Sequence, residues 1–441
     1  MSAPLTDPPS LDSPSTAAAA GLPAWALYPR PHLHGVAVAV AIRGGPRHEG
    51  RGEQGLTHFM EHMVFRGAGG HGTLAELMGA FERVGAEPEA YTSEDSITLL
   101  LELDPARLEE GIALLADILL RPAWRDLESE RALILEERLE RADESGTPCD
   151  LEDISLALAF PGHAAGRSIL GRRRDIDAIQ REDLEAWREK IVTRGNMALA
   201  LAGPLEAEAV AKALAPLTEL RDAPGLTLSE PLPDPDGPRH AFHRADGPQT
   251  QLRFSFRGPG EGDPDYAALR VLVDVLDGGP TGRLPLQLVD TGLCYSGRAD
   301  LVAFADGSLI TIEVAVAHSK VAKVSEAVRK LCEGLWSEVD PAELERAALR
   351  RGHDARRLQD DPRAVAEWAS RKLLLGLPAD LEEARAEEEA VDPQALCALA
   401  ARILHPTRLS VAALAPEGRP RKSIRKALDA WRLSASAGSR R

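Results

Sequence analysis

The sequence predicts an α+β protein made of two related units, and three observations carry that prediction. Its 441 residues are enough for two or three domains, each with a core of its own. Segment 226–239, with four prolines, three acids and a glycine, falls near the midpoint and reads as a linker. On both sides of it the same order of elements recurs, strand, helix, strands, then several helices, without a residue-level repeat.

The chain opens with a tail, 1–24, expected to be disordered. It has no basic n-region and only a four-alanine run where an h-region would stand, so no signal peptide is evident. The first domain spans 25–225. Its run of β-branched residues and alanine at 36–42 ends at Gly44, Gly45 and Pro46 and reads as a buried strand followed by a turn. Helical patterning begins near Gly55. An amphipathic helix follows at 74–84, a strand at 96–103, a helix at 105–120, and another at 126–141 whose charges pair at i, i+4. A short apolar strand lies at 197–202. Beyond a linker at 226–240, the second domain, 241–418, has strands at 251–256, 301–304 and 307–316, a helix at 266–276, a turn at Gly278 and Gly279, and helices from 320 onward. The last stretch, 419–441, is a basic tail compatible with a solvated helix.

Composition narrows the function. Hydrophobic residues at 44% and charged ones at 27% match ordinary globular usage, which excludes a wholly disordered or fibrous chain. With 69 acidic against 52 basic residues the formal charge is −17, and a surface so negative repels phosphate backbones and anionic lipid. Neither nucleic acid nor a membrane is expected as a partner. The four cysteines, Cys149, Cys294, Cys332 and Cys397, lack the close spacing of a thiolate metal site or redox pair and read as reduced thiols. No apolar run reaches the ~18 residues of a membrane span, and the cytoplasm is the expected compartment.

The chemistry sits in segment 55–65, GLTHFMEHMVF. His58 and His62 are one helical turn apart on one face, where both imidazoles can coordinate a single Zn²⁺. Glu61 lies on nearly the same face, where a carboxylate can take a proton from a water on the metal. The plainer reading is coincidence on a solvated face. Against it, Phe59, Met60, Met63, Val64 and Phe65 surround the trio, and ionisable groups on an apolar helix are costly unless paired or metal-bound.

The order His-x-x-Glu-His is the inverted zincin signature. Its wider context, 55–67, resembles the pitrilysin and insulinase family of zinc peptidases, which includes insulin-degrading enzyme and the mitochondrial processing peptidase. In that family the stretch reads Gly-Leu-x-His-Phe-x-Glu-His-Met-x-Phe-x-Gly, and a third ligand comes from a helix opening Glu-Arg-x-x-Ile-x-Glu-Glu. Segment 130–137, ERALILEE, fits, so the resemblance implies Glu137 as third ligand and Glu130, two turns earlier, as a carboxylate supporting the ligands. Segment 90–93 resembles the family's active-site edge strand, 166–171 its Gly-Arg-x-Ile-Leu-Gly loop, 196–203 the strand beginning Asn-Met, and 278–295 a Gly-Gly…Gly-Leu-x-Tyr stretch of the C-terminal domain.

The resemblance implies two mostly antiparallel sheets packed with helices, closing clamshell-like around an extended peptide. It implies one Zn²⁺ per chain on His58, His62 and Glu137, Glu61 as base, and peptide addition along Glu89, Ala90, Tyr91 and Thr92. Two positions depart from the family. Glu89 stands where asparagine is common, placing a carboxylate beside the substrate strand, and Leu288 stands where the family has an arginine seven residues before its tyrosine, here Tyr295. Leucine cannot donate to an oxyanion, although Arg283 and Arg298 are near in sequence. The expected protein is therefore a zinc endopeptidase, using Tyr295 as oxyanion donor and pairing with a homologous sister subunit, or else with a second copy. A non-catalytic assembly subunit on the same fold is the alternative, and it has no need of all four metal-site residues.

Overall fold

The computed structural model describes residues 15–16, 21–142, 147, 149–416 and 419–438. These form two compact units, the first from the described residues of 1–135, 169–229 and 354–385, the second from those of 136–168, 230–353 and 386–441.

The sheet of the first unit has the order β1 (Ser15–Thr16), β2 (Ala24–Pro29), β6 (Met197–Gly203), β3 (Val36–Arg43), β5 (Ser96–Leu103), β4 (Glu87–Thr92). β2 runs parallel to β6, and the remaining neighbours are antiparallel. The sheet of the second unit has the order β7 (Arg239–Arg244), β11 (Leu409–Ala415), β8 (Gln249–Gly258), β10 (Ser308–Ala317), β9 (Ser296–Ala303). Its one parallel pair is β7 with β11. From β2 to β4 and from β7 to β9 the two sheets therefore match strand for strand, which makes the units topologically related α+β layers.

Helices α1 (Leu56–Met63), α2 (Leu74–Arg83), α3 (Leu108–Leu120), α4 (Leu127–Glu140), α5 (Leu151–Ala159), α6 (Arg173–Ala178), α7 (Arg181–Ile191) and α8 (Ala207–Ala213) precede the 226–239 stretch. After it come α9 (Tyr266–Asp277), α10 (Val321–Leu335), α11 (Pro341–Asp360), α12 (Pro362–Leu375), α13 (Leu381–Glu389), α14 (Pro393–Ile403) and α15 (Arg419–Gly438). Side chains alternate across a strand, and β3 shows the consequence. Val36, Val38, Val40 and Ile42 enter the large core beneath α1, α2 and α3, while Ala37 and Ala39 face the opposite way. There, with Ala26, Ala200 and Ala202, they form a shallow surface on which Val365, Ala366 and Ala369 of α12 are buried. Alanines suit that surface because short side chains let a helix axis approach a sheet closely.

In the second sheet, Leu409, Val411 and Ala413 of β11 enter the core lined by α9, α10 and α14, while Ala412 and Leu414 face Leu151 and Ile154 of α5. Each sheet is thus covered on one face by a helix from the other half of the chain: α5 lies before the linker stretch yet belongs to the second unit, and α12 lies after it yet belongs to the first.

The two ends of the chain differ from their description as tails. Ser15–Thr16 pairs with Leu27 and Ala26 of β2, while the rest of 1–20 lies outside the described residues. Residues 419–438 form α15, whose Ile424, Leu428 and Trp431, spaced i, i+4, i+7, are buried in the second core. That apolar stripe docks the helix and leaves Arg421, Lys422, Arg425 and Lys426 exposed. Among the described residues no helix is long and apolar enough to cross a membrane.

Candidate metal centre

Helix α1 is fixed before any of its polar residues is considered. Leu56, Phe59, Met60 and Met63 form a buried stripe into the first core. At its N-cap Gly55 has φ 91°, and a Cβ there would lie 2.5 Å from Ile176 Cδ1. A Cβ on Gly171, φ +66°, would lie 2.1 Å from Gln54 O and 2.5 Å from Gly55 Cα, so the two glycines allow backbone to press on backbone. The buried Glu49 carboxylate accepts hydrogen bonds from Gly55 N (2.9 Å) and Thr57 N (2.8 Å), satisfying donors that a helix N-terminus leaves over and favouring its positive end.

On the helix so held, ligand atoms of His58, Glu61 and His62 lie within 4.8 Å of one another. The two imidazole centroids are 4.6 Å apart, His58 is buried, and His62 keeps 26% of its side chain exposed. His62 Nδ1 is 3.0 Å from Oε2 of Glu130, a residue 3% exposed, which also pairs with Arg66. A carboxylate can only accept, so Nδ1 carries the proton and Nε2 presents its lone pair. Glu130 sits on α4, which follows Trp124 (φ 49°) and Asp126 (φ 58°), non-glycine residues in the left-handed region. Arg131 anchors the same helix by donating to Ile176 O and Ile179 O (2.7 Å), with its guanidinium 5.4 Å from the Phe59 ring centroid. Glu137 lies two turns beyond Glu130 on α4, past the point where the helix passes into the second unit. The group gathered within 4.8 Å consists of His58, Glu61 and His62.

β4 is the terminal strand of the first sheet, pairing with β5 on one side. Its alternation sorts the four residues expected to meet substrate. Ala90 packs against the core under α1, and the Thr92 hydroxyl donates to Glu61 Oε2, so these two share the face turned to α1. Glu89 and Tyr91 point the other way. The Glu89 side chain therefore does not face the histidines: it is gripped by both terminal nitrogens of Arg363 on α12, which holds its carboxyl below the usual range. The Tyr91 hydroxyl donates to Glu367, and burial together with that carboxylate raises its pKa.

In the second unit Tyr295 immediately precedes β9 and is 87% exposed. Leu288 is fully buried in the second core, so its side chain is a packing residue there. Arg283 donates to both carboxylate oxygens of Glu343 (2.9 and 2.7 Å) and to Glu338 O (2.8 Å), and is committed to that structure. Arg298, on β9, pairs with Asp300 at 2.6 Å and keeps 71% of its side chain exposed.

Arg363 and Glu367 reach β4 across more than 270 residues, a span no local pattern covers; Glu49 acts over six to eight residues but lies outside the 55–67 motif, and Arg131, inside the 130–137 motif, makes bonds to Ile176 and Ile179 that the motif does not signal. The hydrogen bond from Thr92 to Glu61 was foreshadowed only by Thr92 lying in the edge-strand motif.

Residues 26–173 match the family described as Insulinase (Peptidase family M16), and residues 178–350 match the one described as Peptidase M16 inactive domain. An uncharacterized zinc protease of Mycobacterium tuberculosis is 27% identical over 408 residues, covering 89% of this chain and 90% of that protein. A probable mitochondrial-processing peptidase subunit beta of Arabidopsis thaliana is 31% identical over 245 residues, 54% of this chain and 46% of that protein. The crystal structure of a protease from Helicobacter pylori superposes with a TM-score of 0.84 at 20% identity, covering 92% of this chain and all of that one, which is a likeness of fold.

Proposed function

The chain belongs to the insulinase family of peptidases, and from that premise we propose that it is a zinc-dependent endopeptidase acting on extended peptides or unfolded segments. One observation carries the reading: two imidazoles a turn apart on an apolar helix, with the Nδ1 proton of one held by a buried carboxylate. That donor set fits zinc, whose histidine ligands characteristically donate their second ring N–H to a carboxylate. In this proposal His58, His62 and Glu137 hold the ion, one per chain. When bound, zinc supplies a Lewis acid that brings the pKa of a coordinated water toward neutrality. Glu61 would be the base that accepts a proton from the attacking water and returns it to the leaving amine, with Thr92 holding one of its carboxylate oxygens. The edge of β4 offers backbone hydrogen bonds to an added peptide strand, which accepts many sequences. Tyr295, an exposed phenol, is assigned the donor to the developing oxyanion.

We further propose that the working form is a dimer with a homologous sister subunit or a second copy of this chain. What supports this is the fate of the basic residues around Tyr295: position 288 is a core leucine and Arg283 is tied to Glu343, leaving Arg298 as the exposed guanidinium of the three positions. The function is tested by metal content and peptide cleavage together. Purified protein should hold one zinc per chain, lose it in His58→Ala, His62→Ala and Glu137→Gln, and cleave a fluorogenic peptide in a chelator-sensitive manner. Metal content near zero, with no uptake from added zinc, would remove the peptidase reading. Arg298→Ala and Tyr295→Phe, assayed alone and with whatever co-purifies, test the dimer.

A further inference from the structure

Arg363 and Glu367 stand one turn apart on α12, and both reach β4. The Arg363 guanidinium donates to both Glu89 oxygens, through Nη1 at 2.7 Å and through Nη2, and lies 3.5 Å from Glu102 on β5. Glu367 accepts from the Tyr91 hydroxyl. Glu89 and Tyr91 are consecutive side chains on one face of β4, while on the other face Thr92 donates to Glu61. The strand is thus gripped from both faces, by α12 and by the proposed base.

These contacts are not what docks α12. Val365, Ala366 and Ala369 are buried against the sheet, and Arg371 pairs with the buried Asp95. Arg363 and Glu89 keep 34% and 49% of their side chains exposed, and pairs so exposed add little to global stability. Their effect falls on β4 itself. A terminal strand has neighbours on one side only and frays readily, and any residue that must be ordered when a peptide adds to it subtracts from the peptide's affinity.

We propose that Arg363 and Glu367 are positioning residues for substrate: a brace from the second half of the sequence that holds β4 in register as a peptide template. This rests on the peptidase reading above.

The test uses the full-length zinc-loaded chain. In Arg363→Ala and Glu367→Gln, the amides of 87–92 should exchange with deuterium about three- to tenfold faster, while those of α1 and the zinc content stay as in wild type. KM for a peptide of about ten residues should rise about three- to tenfold with kcat within about twofold, and Arg363→Lys should recover most of the loss. Unchanged KM and unchanged exchange in Arg363→Ala would overturn the brace while leaving an active wild-type peptidase intact. A fall in kcat with KM unmoved would overturn it equally. If wild type cleaves nothing, yet peptide protects the β4 amides and Arg363→Ala abolishes that protection, the peptidase reading falls and the brace stands. An inert chain whose β4 gains no protection from peptide removes both.

Discussion

Replacing Glu130 separates ligand orientation from ligand identity. Its carboxylate is 3% exposed, accepts the Nδ1 proton of His62 at 3.0 Å and pairs with Arg66, whose side chain is 19% exposed. Glu130→Ala frees the His62 ring to rotate or change tautomer, without deleting any proposed zinc ligand. Losing such an outer partner typically weakens metal affinity about 10- to 100-fold, equivalent to about 1.4–2.7 kcal/mol. Breaking the pair with Arg66 adds a separate cost to folding of about 2 kcal/mol, below the range for fully buried pairs because Arg66 reaches solvent. The two are distinguishable. Urea midpoints of the metal-free variant report the folding cost, and the extra stabilisation conferred by a fixed excess of zinc, which follows RT ln(1 + [Zn]/Kd), reports the affinity. Glu130→Gln keeps an oxygen to accept from Nδ1 but not the charge, so it should fall between wild type and alanine. A zinc Kd for Glu130→Ala within about twofold of wild type, measured by competition with a chromophoric chelator, would refute the claim that this hydrogen bond sets the ligand.

Glu61→Gln should retain zinc and lose about 10²- to 10⁴-fold in turnover, since an amide cannot accept the proton; peptidase rates near wild type would remove Glu61 from its role. Leu288→Arg should not restore an oxyanion donor but unfold the second unit: a charge in that fully buried position, added to the lost leucine packing, costs about 5 kcal/mol or more, and a soluble variant with a wild-type urea midpoint would contradict this. Burial pushes the His48 imidazole down to about 4, with Arg43, Arg47 and Lys190 acting in the same direction and Asp95 against it. It is therefore neutral when folded, and its contribution is complete above the unfolded value of about 6.5 and lost as pH falls from there toward 4. His48→Gln should flatten the acid limb of the stability curve by up to about 3 kcal/mol, and an unchanged limb between pH 6.5 and 4 would show that the ring is not held neutral.

Local chemistry was the legible part of this protein. The α1 motif, the helix bearing Glu130 and the valine-alanine strand β3 could be read because period and residue type coincide within a few residues. β4 could not be read from its pattern, since Glu-Pro-Glu-Ala-Tyr-Thr combines acids and a proline that disfavour strands; it stands because it is terminal, where a proline removes no ladder bond from an outer neighbour. β11, at 409–415, falls within the expected run of helices although its six apolar residues around Ser410 match β6 in kind. A short apolar run buried on both faces has no alternation to separate it from a helix. Glu89 illustrates a different limit: its position in sequence was informative, but which face it occupied depended on strand register, and one residue of register reverses every side chain.

Sheet composition explains why the two halves of the sequence exchange helices. The outer face of the first sheet is largely alanine, which exposes too little apolar surface to recruit a long helix by area alone but permits a close approach that larger residues would block. α12 supplies the complementary surface with Val365, Ala366 and Ala369, and its polar rim carries the Arg363 and Glu367 that reach β4. By taking α12 from beyond the linker stretch, the fold ties the edge strand that meets Glu61 to a segment some 270 residues later in the sequence. Under the brace proposed above, the half of the sequence without the paired histidines acts on the site through Arg363 and Glu367, by holding a strand and not by touching the reacting atoms.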